Sequence, residues 1–356
     1  MPLWKRILFW TLLALVPVVT VELVLRVALR FQVIFDEVCD RFDEGPAASP
    51  IYRWRWVGAR QDREGPMPYN YDEYDEWLGW KTAPDMRHFY TRNRQWVINT
   101  NSNGLRGPEE HAYRKTSGEY RIAVIGDSFT FGDGVHDALS YPAVLESLLP
   151  NTEVLNFGVH GYGHDQMFLQ LKDVVSQYEL DMIVLGYVDG DVHRNGMSFR
   201  DFSKPYFDLE NGELVLQNVP VPEPEWFLET EVCRPKLLDF FQMMRGRSWD
   251  YRPITAALLR AIKEEIVQQK AVPVFFHILG QVPQPEFEEG DLRMEKEFRK
   301  VCQDLGVLAL YSRPGIAAGV ARGEPYANED HWNAPGYRTL AEELAKGIKN
   351  AGLLPR

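Results

Sequence analysis

The chain has 356 residues, of which 45% are hydrophobic and 25% are charged, and its formal net charge is −12. Such a composition can bury a large core, which excludes wholesale disorder. The negative charge would repel a polyphosphate and no run of lysine and arginine offsets it, so we expect no nucleic-acid partner. The cysteines, Cys39, Cys233 and Cys302, form no CxxC pair, and we interpret them as buried free thiols.

The N-terminus carries a predicted membrane segment. Lys5 and Arg6 precede an apolar stretch, residues 7–25, which as a helix would be about 28 Å long, close to the hydrocarbon thickness of a bilayer. No A-x-A-like cleavage site follows, which favours an uncleaved single-pass anchor over a signal peptide. We expect the N-terminus inside and the rest of the chain outside, although Arg26 and Arg30 partly balance the two leading cations.

Residues 31–117 lack a clear period and are predicted to form an accessory segment. The stretch "YNYDEYDEWLGWKTAPDM" mixes aromatic and acidic residues, and "RQWVINTNSNGLRG" predicts a strand followed by a turn at Asn103-Gly104. The aromatic side chains could bind sugar rings. We favour the alternative, that they pack this segment against the main domain.

From residue 118 onwards strand and helix patterns alternate, which predicts an α/β fold with a parallel sheet between two layers of helices. The predicted strands are 119–126, 153–158, 181–187, 271–277 and 305–310, and the predicted helices are 137–149, 164–178, 253–269, 288–304 and 335–350. Asn211-Gly212 indicates a hairpin insertion at about 204–220. We expect it on the same sheet edge as Ser128, as a lid, a substrate rim or a plain surface hairpin.

The first of these strands runs into Gly126-Asp127-Ser128, which places a serine at the edge where α/β sheets hold their ligands. Neither a phosphate-binding loop nor a dinucleotide fingerprint is present, so no cofactor is predicted. The G-x-S-x-G nucleophile elbow is also absent, because Thr130 stands two residues after the serine. His160 and His164 lack zinc-like spacing with other ligands, and no metal site is predicted.

A serine hydroxyl becomes a nucleophile when a base lies beside it and a third group orients that base. His331 is the predicted base, since it precedes the last predicted helix in a loop that would return to the sheet edge. Glu329 and Asp330 come immediately before it. In an extended segment Asp330 would point to the opposite face, so Glu329 is the favoured acid.

Four sequence blocks carry a family resemblance. They are "GDSF" (126–129), "NFGVHGYG" (156–163), "GYVDGDV" (186–192) and "EDHWNAPGYRTLAEELA" (329–345). Together they resemble the SGNH, or GDSL, hydrolases, and the apolar N-terminus with the "HWN..GY" ending is similar to membrane-anchored bacterial members. The resemblance implies a flavodoxin-like α/β/α hydrolase domain over 118–356, ester chemistry, and a periplasmic domain on the inner membrane.

The same resemblance implies an oxyanion hole. Its donors would be the backbone N–H groups of Ser128 and Gly161 and an asparagine side chain, but Gly190 stands where that asparagine is expected. Losing one such donor costs about 2.7–4 kcal/mol of transition-state stabilisation. Asn195 is the predicted substitute. The resemblance also places the acid at Glu329, since membrane-anchored relatives use a D-x-H spacing.

Three functions remain open from the sequence. The leading one is a serine esterase that hydrolyses acyl esters on an extracytoplasmic glycan or envelope component, which is favoured because a nucleophile, a base and an acid are all present in the sequence. The second is an O-acyltransferase that passes the same acyl group from Ser128 to an exported polysaccharide. The third is a non-catalytic glycan-binding protein, which Gly190 and the aromatic segment favour. The oligomeric state stays open as well.

Overall fold

The computed structural model describes residues 2–59, 71–90, 96–282, 288–326 and 331–355. Its helices are α1 (Leu3–Ala28), α2 (Gln32–Arg41), α3 (Gly45–Ala59), α4 (Ser128–Phe131), α5 (Tyr141–Leu148), α6 (His164–Asp173), α7 (Asp191–Arg194), α8 (Pro224–Cys233), α9 (Lys236–Gly246), α10 (Tyr251–Gln268), α11 (Glu288–Leu305), α12 (Arg313–Ala321) and α13 (Ala334–Asn350). Its strands are β1 (Asp72–Asp75), β2 (Gly79–Thr82), β3 (Phe89–Tyr90), β4 (Val97–Ile98), β5 (Tyr120–Gly126), β6 (Thr152–Gly158), β7 (Met182–Val188), β8 (Tyr206–Glu210), β9 (Glu213–Gln217), β10 (Val272–Ile278) and β11 (Leu308–Tyr311).

The core of the fold is a parallel five-stranded sheet in the order β11-β10-β7-β5-β6. Each predicted strand is present, within a few residues of its expected bounds. Successive side chains of β5 point to opposite faces, as strand geometry requires. Ala123 and Ile125 enter the core cluster under α6, α10 and α11, whereas Ile122 and Val124 pack towards α5 and α13. The predicted three-layer α/β/α architecture is therefore confirmed.

Helix α1 is the predicted membrane segment. It is longer than expected at both ends, and it has no buried residues. Among the described residues it is the one helix long and apolar enough to cross a membrane, as an anchor or a signal sequence would be.

The accessory segment packs into the main core. Trp56, Leu78 and Trp80 belong to the same buried cluster as the sheet residue Leu185, and Trp80 is fully buried. The strand and the turn at Asn103-Gly104 are present, with Gly104 at a φ of +77°. The aromatic side chains of Trp56 and Trp80 thus serve packing, as we favoured, whereas Trp77 is 38% exposed.

The hairpin β8–β9 has its turn at Asn211-Gly212, as predicted. It packs against α6 and α10, and Phe207 is buried against Phe168 with ring centroids 5.8 Å apart. These contacts favour the interpretation as a surface hairpin over that as a lid.

Three details differ from expectation. The predicted helix 137–149 begins as a short 3-10 turn and becomes α5 only at Tyr141, where Pro142 sits in the first turn, a position that proline favours. Helix α6 ends at Asp173, before a second 3-10 turn. Cys39 and Cys302 are buried free thiols, but Cys233 is exposed because α8 ends at the surface.

Candidate active site

Ser128 begins α4 directly after β5, at the carboxyl edge of the sheet. Asp127 caps this helix, since its Oδ1 accepts a hydrogen bond from the Phe129 N–H at 2.9 Å. An N-terminal cap of this kind fixes the angle at which the chain leaves the strand. The Ser128 side chain is thereby held at the sheet edge, and the residue is only 7% exposed.

The glycines at the ends of β5 and β6 bring α4 down onto the sheet. Gly126 and Gly158 are register partners. A Cβ added at Gly158 would lie 2.1 Å from the Phe131 backbone nitrogen, and one added at Gly126 would lie 2.1 Å from Thr130 Oγ1. Neither position has room for a side chain, so these glycines set the height of Ser128 above the sheet.

The structure brings His331 to Ser128. Its Nε2 lies 2.7 Å from Ser128 Oγ, within hydrogen-bonding distance. The ring also contacts Phe129, with the two centroids 4.9 Å apart. A serine and an imidazole in this contact form the nucleophile–base pair of acyl-transfer enzymes.

The residues that follow His331 hold its backbone in place. Trp332 is fully buried and donates its indole N–H to the Leu279 carbonyl at 2.8 Å. Asn333 caps α13, and Tyr337 donates its hydroxyl to the Asp133 carbonyl at 2.9 Å. The "HWN..GY" motif therefore consists of the histidine that contacts Ser128 and the residues that fix its backbone.

The two candidate acids, Glu329 and Asp330, lie outside the described residues, so the assignment of Glu329 stays a prediction. Another carboxylate does lie near His331. Asp133 Oδ2 is 4.0 Å from His331 Nε2, the nitrogen that faces Ser128. The acid of a serine triad binds the other ring nitrogen, Nδ1, so the geometry of Asp133 is not that of the third triad member.

Asp133 instead pairs with His160, a residue whose function the sequence left unassigned. Its Oδ1 lies 2.7 Å from His160 Nε2. Burial raises the pKa of Asp133 to about 8, with smaller contributions from Asp127 and Asp201 and an opposing one from Arg106. Burial also holds the pKa of His160 well below its usual value, helped by the charge of His331. Around neutral pH burial therefore favours the uncharged form of both groups.

The two backbone donors of the predicted oxyanion hole, the N–H groups of Ser128 and Gly161, are not engaged elsewhere. Within the described ranges neither donates a hydrogen bond to another protein group. Gly161 adopts a φ of +69°, and a Cβ there would lie 1.8 Å from Asp201 Oδ2. Both the conformation and the close approach require glycine.

Asn195, the predicted substitute donor, is directed away from this role. It is fully buried, its Nδ2 donates to Thr255 Oγ1 at 2.8 Å, and its Oδ1 accepts from the His164 N–H at 2.8 Å. The side chain joins α7 to α6 and α10, so we assign it a structural role. His164 is buried in the same contact. Among the described residues, no cluster of three or more His, Cys, Asp or Glu side chains is arranged to hold a metal ion.

Arg194 is a site residue that sequence reasoning missed. Its Nη1 donates to Asp127 Oδ2 at 3.1 Å, to Asp191 Oδ1 at 2.6 Å and to the Tyr162 carbonyl at 2.9 Å. The guanidinium thus joins the residue before Ser128 to the residue after Gly161. Burial, and then the charge of Asp127, hold the pKa of Asp191 well above its usual value. The spacing of Asp191 and Arg194, three residues apart on a helix, was the one available signal.

No family model matches the chain, and no curated protein does. Solved structures do match. A lipolytic protein of the G-D-S-L family from Veillonella parvula is 12% identical with a TM-score of 0.41, the match covering 64% of this chain and 97% of that one.

Two esterases also match. Axe2, an acetylxylan esterase from Geobacillus stearothermophilus, is 14% identical with a TM-score of 0.42, over 65% of this chain and 94% of that one. The psychrotrophic esterase EstA from Pseudoalteromonas is 12% identical with a TM-score of 0.42, and the match covers 65% of this chain and 98% of that one. The structures to which this chain is similar thus include G-D-S-L proteins and esterases.

Proposed function

We propose that this protein is a serine esterase of the SGNH type, in which Ser128 attacks an ester carbonyl and His331 takes its proton. The observation that carries the proposal is the 2.7 Å contact between Ser128 Oγ and His331 Nε2 at the carboxyl edge of the sheet. The alcohol leaves with that proton and an acyl-enzyme forms on Ser128. Water then attacks the acyl group, with His331 again as base, and Ser128 is regenerated.

The electrostatics around the nucleophile support this chemistry. The N–H groups of Ser128 and Gly161 would receive the developing negative charge on the carbonyl oxygen. Arg194 binds Asp127, which precedes Ser128, and Tyr162, which follows Gly161. It therefore acts as a positioning residue that fixes the distance between these two donors.

The composition of the site supports a hydroxyl-rich substrate. Asp133 lies beside His331, and Asp201 and Arg200 lie beside Gly161. Charged and polar groups of this kind bind sugar hydroxyls, whereas a long acyl chain would require an extended apolar wall. We therefore propose an acyl ester of a glycan or envelope component as the substrate.

The proposed location is the outer face of a bacterial inner membrane, with α1 as a single-pass anchor. The length and apolar surface of α1 support the anchor, and Lys5 and Arg6 support an inside N-terminus. A C-terminal alkaline phosphatase fusion in a bacterial host is expected to be active and a cytoplasmic reporter silent. The reverse pattern would remove the extracytoplasmic substrate from the proposal.

The nucleophile is tested by Ser128→Ala. This variant is expected to lose both labelling by a fluorophosphonate probe and hydrolysis of p-nitrophenyl acetate, with an unchanged circular dichroism spectrum. Ser176→Ala is the matched control, because that hydroxyl only bonds the Lys172 carbonyl one turn away. Labelling that persists in Ser128→Ala would exclude Ser128 as the nucleophile, and a wild-type protein that resists the probe would favour the non-catalytic glycan-binding function.

Faster loss of the acyl group to an added glycan than to water would identify an acyltransferase.

A further inference from the structure

Helix α9 presents an exposed apolar face next to α1. Leu238, Phe241 and Met244 are 54%, 69% and 58% exposed. Their spacing of three residues places them within about 120° of the helix circumference. Exposed aliphatic and aromatic side chains in one contiguous stripe mark a surface that contacts another phase or partner.

The opposite face of α9 is fixed to the protein, so the exposed stripe cannot turn inwards. Met243 is fully buried against α2 and α3, in a cluster with Cys39 and Ile51. Asp239 is also buried and forms an ion pair with Arg53 of α3, and it accepts a hydrogen bond from the Trp54 indole at 2.6 Å. The orientation of the stripe is therefore set by the fold.

The beginning of α9 is bound to α1 itself. Glu22 of α1 accepts hydrogen bonds from the Lys236 N–H at 2.9 Å and the Leu237 N–H at 3.0 Å, the first amides of α9. Arg26, paired with Glu22, donates to the Arg234 carbonyl at 2.8 Å. An acidic residue in an apolar helix is costly in a membrane unless it is paired, and these contacts pair it.

The depth of this junction follows from helix geometry. Glu22 lies six residues before the end of α1, which corresponds to about 9 Å along the helix axis. The first turn of α9 therefore meets α1 just inside its final turns, where a membrane-spanning helix passes from acyl chains to headgroups. The next helix, α2, also starts there, preceded by Phe31, which is 60% exposed.

We propose that α9 lies in the surface of the phospholipid bilayer from which α1 emerges, with Leu238, Phe241 and Met244 inserted between headgroups and acyl chains. Helices with one apolar and one polar face bind membranes in this way. Arg245 and Arg247 are exposed at the end of α9 and would meet the anionic headgroups. The inference rests on the proposed membrane anchor, and it adds that α1 and α9 together hold the hydrolase domain at one orientation to the membrane.

The test uses the full chain in liposomes of phosphatidylethanolamine and phosphatidylglycerol. Cys233→Ser removes the exposed native thiol, and single cysteines are introduced as Phe241→Cys, Leu13→Cys and Val267→Cys for labelling with an environment-sensitive fluorophore. Val267 is a matched control, because it is 50% exposed but lies at the far end of α10. Lipids that carry a nitroxide near the headgroup are expected to quench the label at 241 several-fold more than the label at 267.

The outcomes separate the inference from the anchor. In one outcome, nitroxides at some depth quench the label at 13, but the label at 241 is quenched no more than the label at 267. This result would retain the anchor and overturn the placement of α9. No quenching at either 13 or 241 would overturn the anchor and the inference together. Disulfide cross-linking between two chains through Phe241→Cys, without lipid quenching, would show that the stripe binds a second copy instead and would likewise overturn the proposal.

Discussion

The resemblance places an oxyanion-binding asparagine at the position of Gly190, and we expect Gly190→Asn to raise the turnover of the proposed esterase. Gly190 is the N-cap residue of α7, with φ −63° and ψ −24°, a conformation open to any residue. A Cβ added there meets no atom within 4 Å. Asparagine is as good as glycine or better at a helix N-cap, so stability should change by only about a few tenths of a kcal/mol. The substitution therefore tests chemistry rather than folding.

The size of the effect follows from the value of one oxyanion donor. A carboxamide that reaches the developing oxyanion contributes about 2.7–4 kcal/mol, which corresponds to about 10²–10³ in kcat. The full gain requires the new amide to reach the same oxygen as the N–H groups of Ser128 and Gly161. We therefore take an increase of about 10²-fold as the expected result.

The assay is kcat for p-nitrophenyl acetate, expressed per active site by titration with a fluorophosphonate. Gly190→Leu is the matched control, because leucine has the shape of asparagine but no donor. An increase in Gly190→Asn that Gly190→Leu does not share would confirm the reasoning. Equal rates in both variants and in the wild type would refute it, and would show that the absent carboxamide does not limit turnover.

Two further predictions concern the charges around His331. Ionisation of Asp133 above about pH 8 would place a negative charge 4.0 Å from His331 Nε2 and would stabilise the imidazolium that forms when His331 takes the serine proton, so kcat/KM is expected to rise as the pH passes about 8; Asp133→Asn, which stays neutral, should lack this rise. Identical alkaline limbs in the two pH–rate profiles would contradict this role of Asp133. For the acid of the triad, Glu329→Gln is expected to lower kcat by about the 10⁴ seen for an analogous Asp→Asn change, whereas Asp330→Asn should change it little. The opposite order in steady-state kinetics would move the acid to Asp330.

The sequence by itself determined the features that depend on local pattern. Continuous apolar runs predicted the five strands of the sheet, because a strand covered on both faces has no polar side to show. The apolar run at residues 7–25 predicted α1, because its length as a helix matches the hydrocarbon thickness of a bilayer. The blocks around Ser128 and His331 predicted two side chains that the structure brings together, since each block keeps its side chain and its structural supports within a few residues.

Only the tertiary structure decided which side chains serve chemistry and which serve packing. Asn195 carries a suitable amide, but Thr255, sixty residues away, takes its hydrogen bond. Arg194 binds both Asp127 and Tyr162, which belong to the separate sequence blocks 126–129 and 156–163. The Glu22 carboxylate lies within an apolar helix, and its partners are backbone amides of α9, more than two hundred residues away. In each case the partner comes from a distant part of the chain, and hydrogen-bond satisfaction and burial are properties of the folded assembly rather than of a sequence window.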